Sequence, residues 1–385
     1  MKFAHHRFAL VAALISAVAL PGAAAATDPG IKDNEILIGQ CAALTGPTER
    51  LGTGMNAGLK AAFDEVNAQG GIHGRQIRFL SDDDAYDPDK CVECTGKMIE
   101  DKGVFALAGY VGTPTGKVAA PMVQEYKVPL VGLFTGAMLL REPVQRYVIN
   151  IRASYDDEAE ALVEHLTRNP AVHKIAVFYQ NDSFGFSVLS GVEKALTRRK
   201  LVLAAKGSFE RNTLDVKGGL AAVLAAAPDA VVIVAPYEPT ALFVRAAREA
   251  GLKAQFATIS FVGTESLISV LGTASEGMLI SQVVPSPTDA SLALSRDYQN
   301  ALKKSAPAAA PTYVSFEGYI DARVLIAGLD LAGKDLSREK LIDAFQGMSH
   351  LDLGGMVFSF SPTNHQGSNT VYVTTVKDGK AQPTP

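Results

Sequence analysis

Only three cysteines stand in the 385 residues. They allow at most one internal disulfide, so this is no disulfide-stapled miniature and the fold must stand on buried apolar surface. A surplus of one charge is missing as well. Against 36 Lys and Arg there are 40 Asp and Glu, a formal net charge of −4 that gives no reason to expect nucleic acid or an anionic membrane as partner. Tryptophan is absent, which constrains little. The catalytic and nucleotide motifs G-x-G-x-x-G after a strand, G-x-x-x-x-G-K-[ST], G-x-S-x-G and H-E-x-x-H are all lacking. The seven histidines are scattered, and His365, in the polar loop 363–368, reads as a solvated loop residue. No enzyme, cofactor or metal is therefore expected; a hydrolase of unrecognised type is the remaining catalytic alternative.

Long apolar runs are confined to the N-terminus. His5, His6 and Arg7 precede an uncharged stretch, 8–20, and Ala24-Ala25-Ala26 follows. Basic-leaning start, short apolar core and small-residue cleavage site together read as a secretory signal peptide over 1–26. An apolar run of about 13 residues falls short of the ~20 that a spanning helix needs. The expectation is export to the periplasm with cleavage near Ala26, leaving about 359 of the 385 residues. That length is too large for one ordinary core and implies two domains.

What is present is a regular alternation. Short Val/Ile/Leu-rich runs at 36–38, 77–80, 104–108, 129–131 and 147–149 alternate with stretches of helical period, at 54–68, from Asp87-Pro88, and up to Tyr126. Asp before Pro is a helix start: the carboxylate caps and the ring sits at the first helical position. After a break near 151–154 the pattern repeats. Helices are expected at 158–166, 186–198, 216–226 and 241–250, with strands at 174–178, 201–204, 230–234 and 255–259. Strand, helix, strand at these spacings, with fully apolar strands, means parallel sheets covered on both faces. The fold class is thus α/β, with two doubly wound parallel-sheet lobes. Helices follow at 292–304, 316–332 and 337–345, and strands at 356–358 and 371–373.

Parallel sheets bind ligands beyond the carboxyl ends of their strands, and two facing sheets put the site in the cleft between them. After the run 104–108 comes Gly109-Tyr110-Val111-Gly112-Thr113-Pro114-Thr115-Gly116, a glycine-rich turn into a helix whose free N–H groups favour an anion such as a carboxylate. Taken alone, Thr113 equally serves as a helix cap. Asp182-Ser183 reads as a cap of the following helix. Cys91 and Cys94 share a helix face. A disulfide between them is conceivable but would close a tiny loop and add little stability, while Cys41 reads as a small buried hydrophobe.

Four separated stretches carry a resemblance: Ala43-Leu44-Thr45-Gly46-Pro47, Gly70-Gly71-Ile72-His73-Gly74, Asp82-Asp83-Asp84-Ala85-Tyr86-Asp87-Pro88 and Gly251-Leu252-Lys253-Ala254-Gln255-Phe256. In these the chain resembles the periplasmic leucine/isoleucine/valine-binding proteins and the wider family of ABC-importer receptors. The resemblance implies two lobes joined by three crossovers, near Ile151, Pro285 and Gly354, closing on a small molecule for delivery to a membrane permease; a sensor for a membrane kinase is the alternative. It divides the chain into 27–151 with 286–353 and 152–285 with 354–385, and implies a monomer. It also implies that Thr113 holds a ligand carboxylate and that the next loop, Phe134-Thr135-Gly136, supplies backbone groups, with Gly136 standing where a second hydroxyl is expected. Tyr155 and the Pro236-Tyr237 region face the cleft. Where amino-acid binders of the family carry an acid for the ligand ammonium, this chain has Ser260. A buried ammonium needs a charged or strongly accepting partner. The expected ligand therefore has an anionic or polar head near Thr113 and an apolar or aromatic body against Phe134, Tyr155, Tyr237 and Phe261, with an ordinary amino acid as the alternative.

Overall fold

The structure, a computed structural model, describes residues 28–384. The expected signal segment lies outside the described residues, and among these no helix is long and apolar enough to cross a membrane.

The first lobe begins with β1 (Glu35–Ala42), α1 (Glu49–Ala68), β2 (Gln76–Asp83), α2 (Pro88–Gly96), β3 (Ala106–Ala108), α3 (Thr113–Glu125), β4 (Leu130–Val131) and β5 (Val148–Ile149). Its strands pair in parallel in the order β2-β1-β3-β4-β5. The second lobe follows with α4 (Tyr155–Thr167), β6 (Ile175–Gln180), α5 (Ser183–Arg198), β7 (Ala205–Phe209), α6 (Lys217–Ala226), β8 (Ala230–Val234), α7 (Tyr237–Glu249), β9 (Gln255–Thr258), α8 (Thr264–Leu271) and β10 (Leu279–Gln282). The chain then returns through α9 (Ala293–Ser305), α10 (Tyr313–Ala332), α11 (Arg338–Gly347), β11 (Leu351–Asp352) and β12 (Val357–Phe358), and ends in β13 (Tyr372–Lys377) and β14 (Lys380–Pro383). The second sheet runs β14-β13-β10-β9-β8-β6-β7, antiparallel only at β13 and β14. Its parallel part repeats the first sheet's winding, and β8, Ala-Val-Val-Ile-Val, is buried along its whole length, as a strand with helices on both faces must be.

Local signals account for most of these elements. Asp87 caps α2 by accepting from the amides of Asp89 and Lys90, with Pro88 at the first helical position. Ser154 and Asp157 form a reciprocal capping box at the start of α4. Helix α1 starts at Glu49, earlier than the apolar spacing predicts. It packs closely on α10: a Cβ at Gly58 would lie 1.9 Å from the Ser315 carbonyl oxygen, and one at Gly318 would lie 2.5 Å from that of Met55.

Four expectations are corrected. The strand expected at 201–204 lies at Ala205–Phe209 instead. Residues 201–204 carry the chain from α5 to the sheet edge, and Val202 is 83 % exposed. The third crossover comes after Gly354: Met356, Phe358 and Phe360 pack in the first lobe's core. Here β12 pairs with β11, and Phe360 meets Phe345 at 5.7 Å between ring centres. The chain crosses only beyond Gly367, whose amide bonds to the Asn150 carbonyl at 2.8 Å. His365 is buried, not solvated, with Nδ1 3.0 Å from the Val148 carbonyl oxygen. Finally, Cys41 is disulfide-bonded to Cys94, their Cα atoms 6.1 Å apart, and Cys91 is a free buried thiol. Sharing a helix face told which cysteines were neighbours on α2, whereas the bond forms across the packing of α2 on the end of β1.

Candidate functional site

The loops at the carboxyl ends of both sheets meet in one seam. Ala43, Leu51, Met55, Tyr86, Val111 and Phe134 of the first lobe belong to the same buried cluster as the second lobe's core. At its centre Phe261, just after β9, lies 5.3 Å from Phe134, 6.0 Å from Tyr86 and 4.5 Å from Phe184, ring centre to ring centre. Burying a side chain of that size contributes roughly 1.5–3 kcal/mol, so the aromatic seam itself favours apposed lobes.

On one side of the seam stand hydroxyls. Thr113 opens α3 at the end of a turn in which Gly112 has φ 105°. The Thr113 hydroxyl is 2.6 Å from that of Thr135, and both residues are fully buried. The Tyr155 hydroxyl is buried without a hydrogen-bond partner. Burial pushes its phenol up to about 12, opposed by the Arg152 charge. Behind Thr135 lies Arg141, which donates to the carbonyls of Thr135, Ala137 and Arg152 and to the Gln366 side chain. Burial, with Arg152 nearby, lowers its guanidinium to about 10, so it remains a cation at neutral pH. Gly136 accepts from the Tyr155 amide at 2.7 Å.

On the other side lies a buried ionic group. Arg152 donates through Nη2 to Glu158 Oε1 at 2.9 Å and to the Ser260 hydroxyl. Its Cζ sits 4.9 Å from the centre of the Phe134 ring and 5.9 Å from that of Tyr155. Glu158 also accepts from the Ser260 amide at 2.9 Å, the Ser260 hydroxyl at 3.1 Å and the Ser281 hydroxyl at 2.6 Å. Arg152 Nη1 lies 3.4 Å from Glu317 on α10, and thereby joins the two lobes. Burial raises the Glu317 carboxyl to about 7, with Arg152 opposing. The Asp321 carboxyl, one turn on, is raised well above the usual carboxylate range by burial and by Glu317. Phe134, Ser260, Gln282 and Glu317 close around this group and leave no room for a water molecule.

Thr113, Phe134, Gly136, Tyr155 and Ser260 thus fall in one neighbourhood. Tyr237 belongs to the same seam but faces Arg50 of α1, whose guanidinium lies 5.6 Å over its ring. Asp182 caps α5 by accepting from Phe184 and Gly185, as expected. Arg141, Arg152, Glu158 and Glu317 escaped the reading of the sequence, as did the hydroxyl of Thr135, whose loop was expected to supply backbone groups. Glu158 did leave a signal: it shares a helix face with Tyr155, Ala159 and Leu162, all buried.

Residues 35–381 match the family described as periplasmic binding protein. The chain belongs to that family. It is 23% identical over 356 residues to the leucine-specific-binding protein of Salmonella typhimurium, covering 90% of this chain and 96% of that one. Among solved structures, a possible leucine/isoleucine/valine-binding protein from Rhodopirellula baltica is 34% identical with a TM-score of 0.87, covering 94% of this chain and 98% of its own. A substrate-binding periplasmic protein from Ralstonia solanacearum is 29% identical with a TM-score of 0.84, covering 89% and 97%. This periplasmic binding protein has the two-lobed, type I architecture of the leucine/isoleucine/valine-binding class, and is a ligand-binding receptor.

Proposed function

We propose that this receptor serves an ABC importer, capturing a small organic acid between its lobes and presenting the closed pair of lobe surfaces to the membrane permease. The expected cleavage near Ala26 would release it into the periplasm as a monomer. Residues 28–151 with 286–367 form one jaw, and 152–285 with 368–384 the other. The ligand's carboxylate is held by the hydroxyls of Thr113, Thr135 and Tyr155, and its apolar or aromatic body lies against Phe134 and Phe261, with Tyr237 closing the far end. Phe134 and Gly136 contribute backbone, and Ser260 a hydroxyl on the second lobe.

One observation carries this reading. Two buried threonine hydroxyls and an unpartnered tyrosine hydroxyl lie together beside an aromatic wall, backed by Arg141, a cation whose side chain is paired with no carboxylate among the described residues. Hydroxyls clustered in front of a cation complement an anion. Capture shifts an equilibrium between open and closed lobes, because only the closed form brings both sets of groups onto the ligand. Titration calorimetry with aliphatic and aryl-alkyl carboxylic acids, leucine and valine tests the reading. Binding of one or more acids is expected; tight binding of leucine or valine with no binding of any acid would contradict it.

A further inference from the structure

We infer that Arg152 sets the charge class of the ligand, by filling with the protein's own guanidinium the place in the cleft where a ligand cation would be received. The inference rests on the receptor reading above and deepens it. Glu158, the hydroxyls of Ser260 and Ser281, and the faces of Phe134 and Tyr155 surround one position. A carboxylate with hydroxyls between aromatic faces is the chemistry that receives an ammonium or guanidinium group. Here that position is occupied. Arg152 is 2 % exposed, bonds Glu158 and Ser260 through Nη2, and reaches Glu317 of the opposite lobe.

Two consequences follow for a ligand. One that brings an ammonium finds its acceptor already paired with Arg152 and must displace that guanidinium or stay buried without a partner, which disfavours it strongly. One that brings a carboxylate finds a donor to spare, because Arg152 Nε is buried with no hydrogen-bond acceptor and Nη1 has only the Glu317 carboxylate, 3.4 Å away, and a buried unsatisfied donor gains most from a new partner. The ligand class is therefore a carboxylic acid with an apolar body and no amino group. A purely structural hinge pair would hold the lobes together without discriminating between such compounds.

The test uses matched pairs that differ only in the amino group: 4-methylpentanoate and leucine, 3-phenylpropanoate and phenylalanine, butanoate and 2-aminobutanoate. Each is titrated calorimetrically into the mature wild-type protein and the Arg152→Ala variant. The wild type is expected to prefer the acid of at least one pair tenfold or more. Arg152→Ala, with Glu158 uncovered, should reverse that preference, and millimolar methylguanidinium should raise the melting temperature of the variant and not of the wild type. Should Arg152→Ala not fold, the Arg152→Ala/Glu158→Gln protein removes the unpaired carboxylate and is expected to lose the acid without gaining the amine. Either variant keeping the wild-type acid-to-amine ratio overturns the inference. A wild-type preference for the amino member overturns the inference and leaves a receptor of another specificity; no binding of either member of any pair counts against the receptor reading and this inference together.

Discussion

Gly136 stands where a hydroxyl was expected, and its surroundings explain why none is there. A Cβ at this position would lie 2.5 Å from both the amide nitrogen and Cδ1 of Tyr155. The main chain can approach the start of α4 this closely only without a side chain. The neighbouring hydroxyl comes from Thr135 instead, through its short contact with Thr113. Gly136→Ser is accordingly expected to destabilise the protein by about 1–3 kcal/mol, the usual range for overpacking, with no gain in affinity for leucine. Urea denaturation checks the first part and calorimetry the second; an equally stable variant would show that the Tyr155 contact yields easily. At this scale the position of a residue in its own loop was legible, as for Thr113 after β3 and Ser260 after β9. The sequence was silent on Arg152 and Glu317, whose sequence separation is wide and whose meeting depends on how the lobes close. An arginine in a loop and a glutamate in a helix look like solvated charges until the tertiary fold buries them.

Among the elements, α10 bears a contact that exists only when the lobes are apposed. Its first amide, at Tyr313, is 3.2 Å from Glu265 Oε2, and Glu265 belongs to α8 of the other lobe. A carboxylate at a helix N-terminus satisfies an orphan donor and complements the dipole. Losing such a cap costs ~1 kcal/mol, so Glu265→Ala is expected to weaken ligand binding about fivefold while leaving the order of preferred ligands unchanged. Burial raises the Glu265 carboxyl to about 7 in this apposed state, from an ordinary value of 4.5. Closure then takes up a proton between those values. Glu265's contribution to affinity falls as pH rises from about 4.5 to about 7 and is level above, and Glu265→Gln, which keeps an acceptor, should flatten that slope. Calorimetry at pH 5, 6, 7 and 8 measures both effects; unchanged affinity in Glu265→Ala would show that the contact does not bear on closure. Elements with strong local signals were legible: the capped α2 and the apolar β8 lie where spacing puts them. Element ends were less so. The apolar pair Val202 and Leu203 passes for a strand in sequence but serves as a descent to the sheet edge, and β12 stays with the first lobe because its local partner β11 precedes it. The pairing of Cys41 with Cys94 likewise depends on α2 lying over β1, a relation that spacing within α2 does not contain.

For the molecule as a whole, two sheets of the same winding face one another across a seam that is aromatic at its centre and ionic toward the crossovers. The seam's apolar contacts favour closure and Arg152 reaches Glu317 across it, while burial of the Glu317 carboxyl, raised to about 7, works against it. Opposing terms of this kind keep the open and closed populations close enough for a ligand to shift them. Two lobes were legible from the repeat of strand and helix and from chain length, because both are properties of hydrophobic period. The closed seam was not, because each aromatic in it reads equally well as ordinary core of its own lobe. The most direct test is small-angle X-ray scattering of the mature protein, alone and saturated with whichever acid calorimetry identifies. The account predicts a fall in radius of gyration on binding, toward the ~21 Å of a compact chain of this length. Identical scattering curves with and without bound acid would contradict a clamp that closes on its cargo.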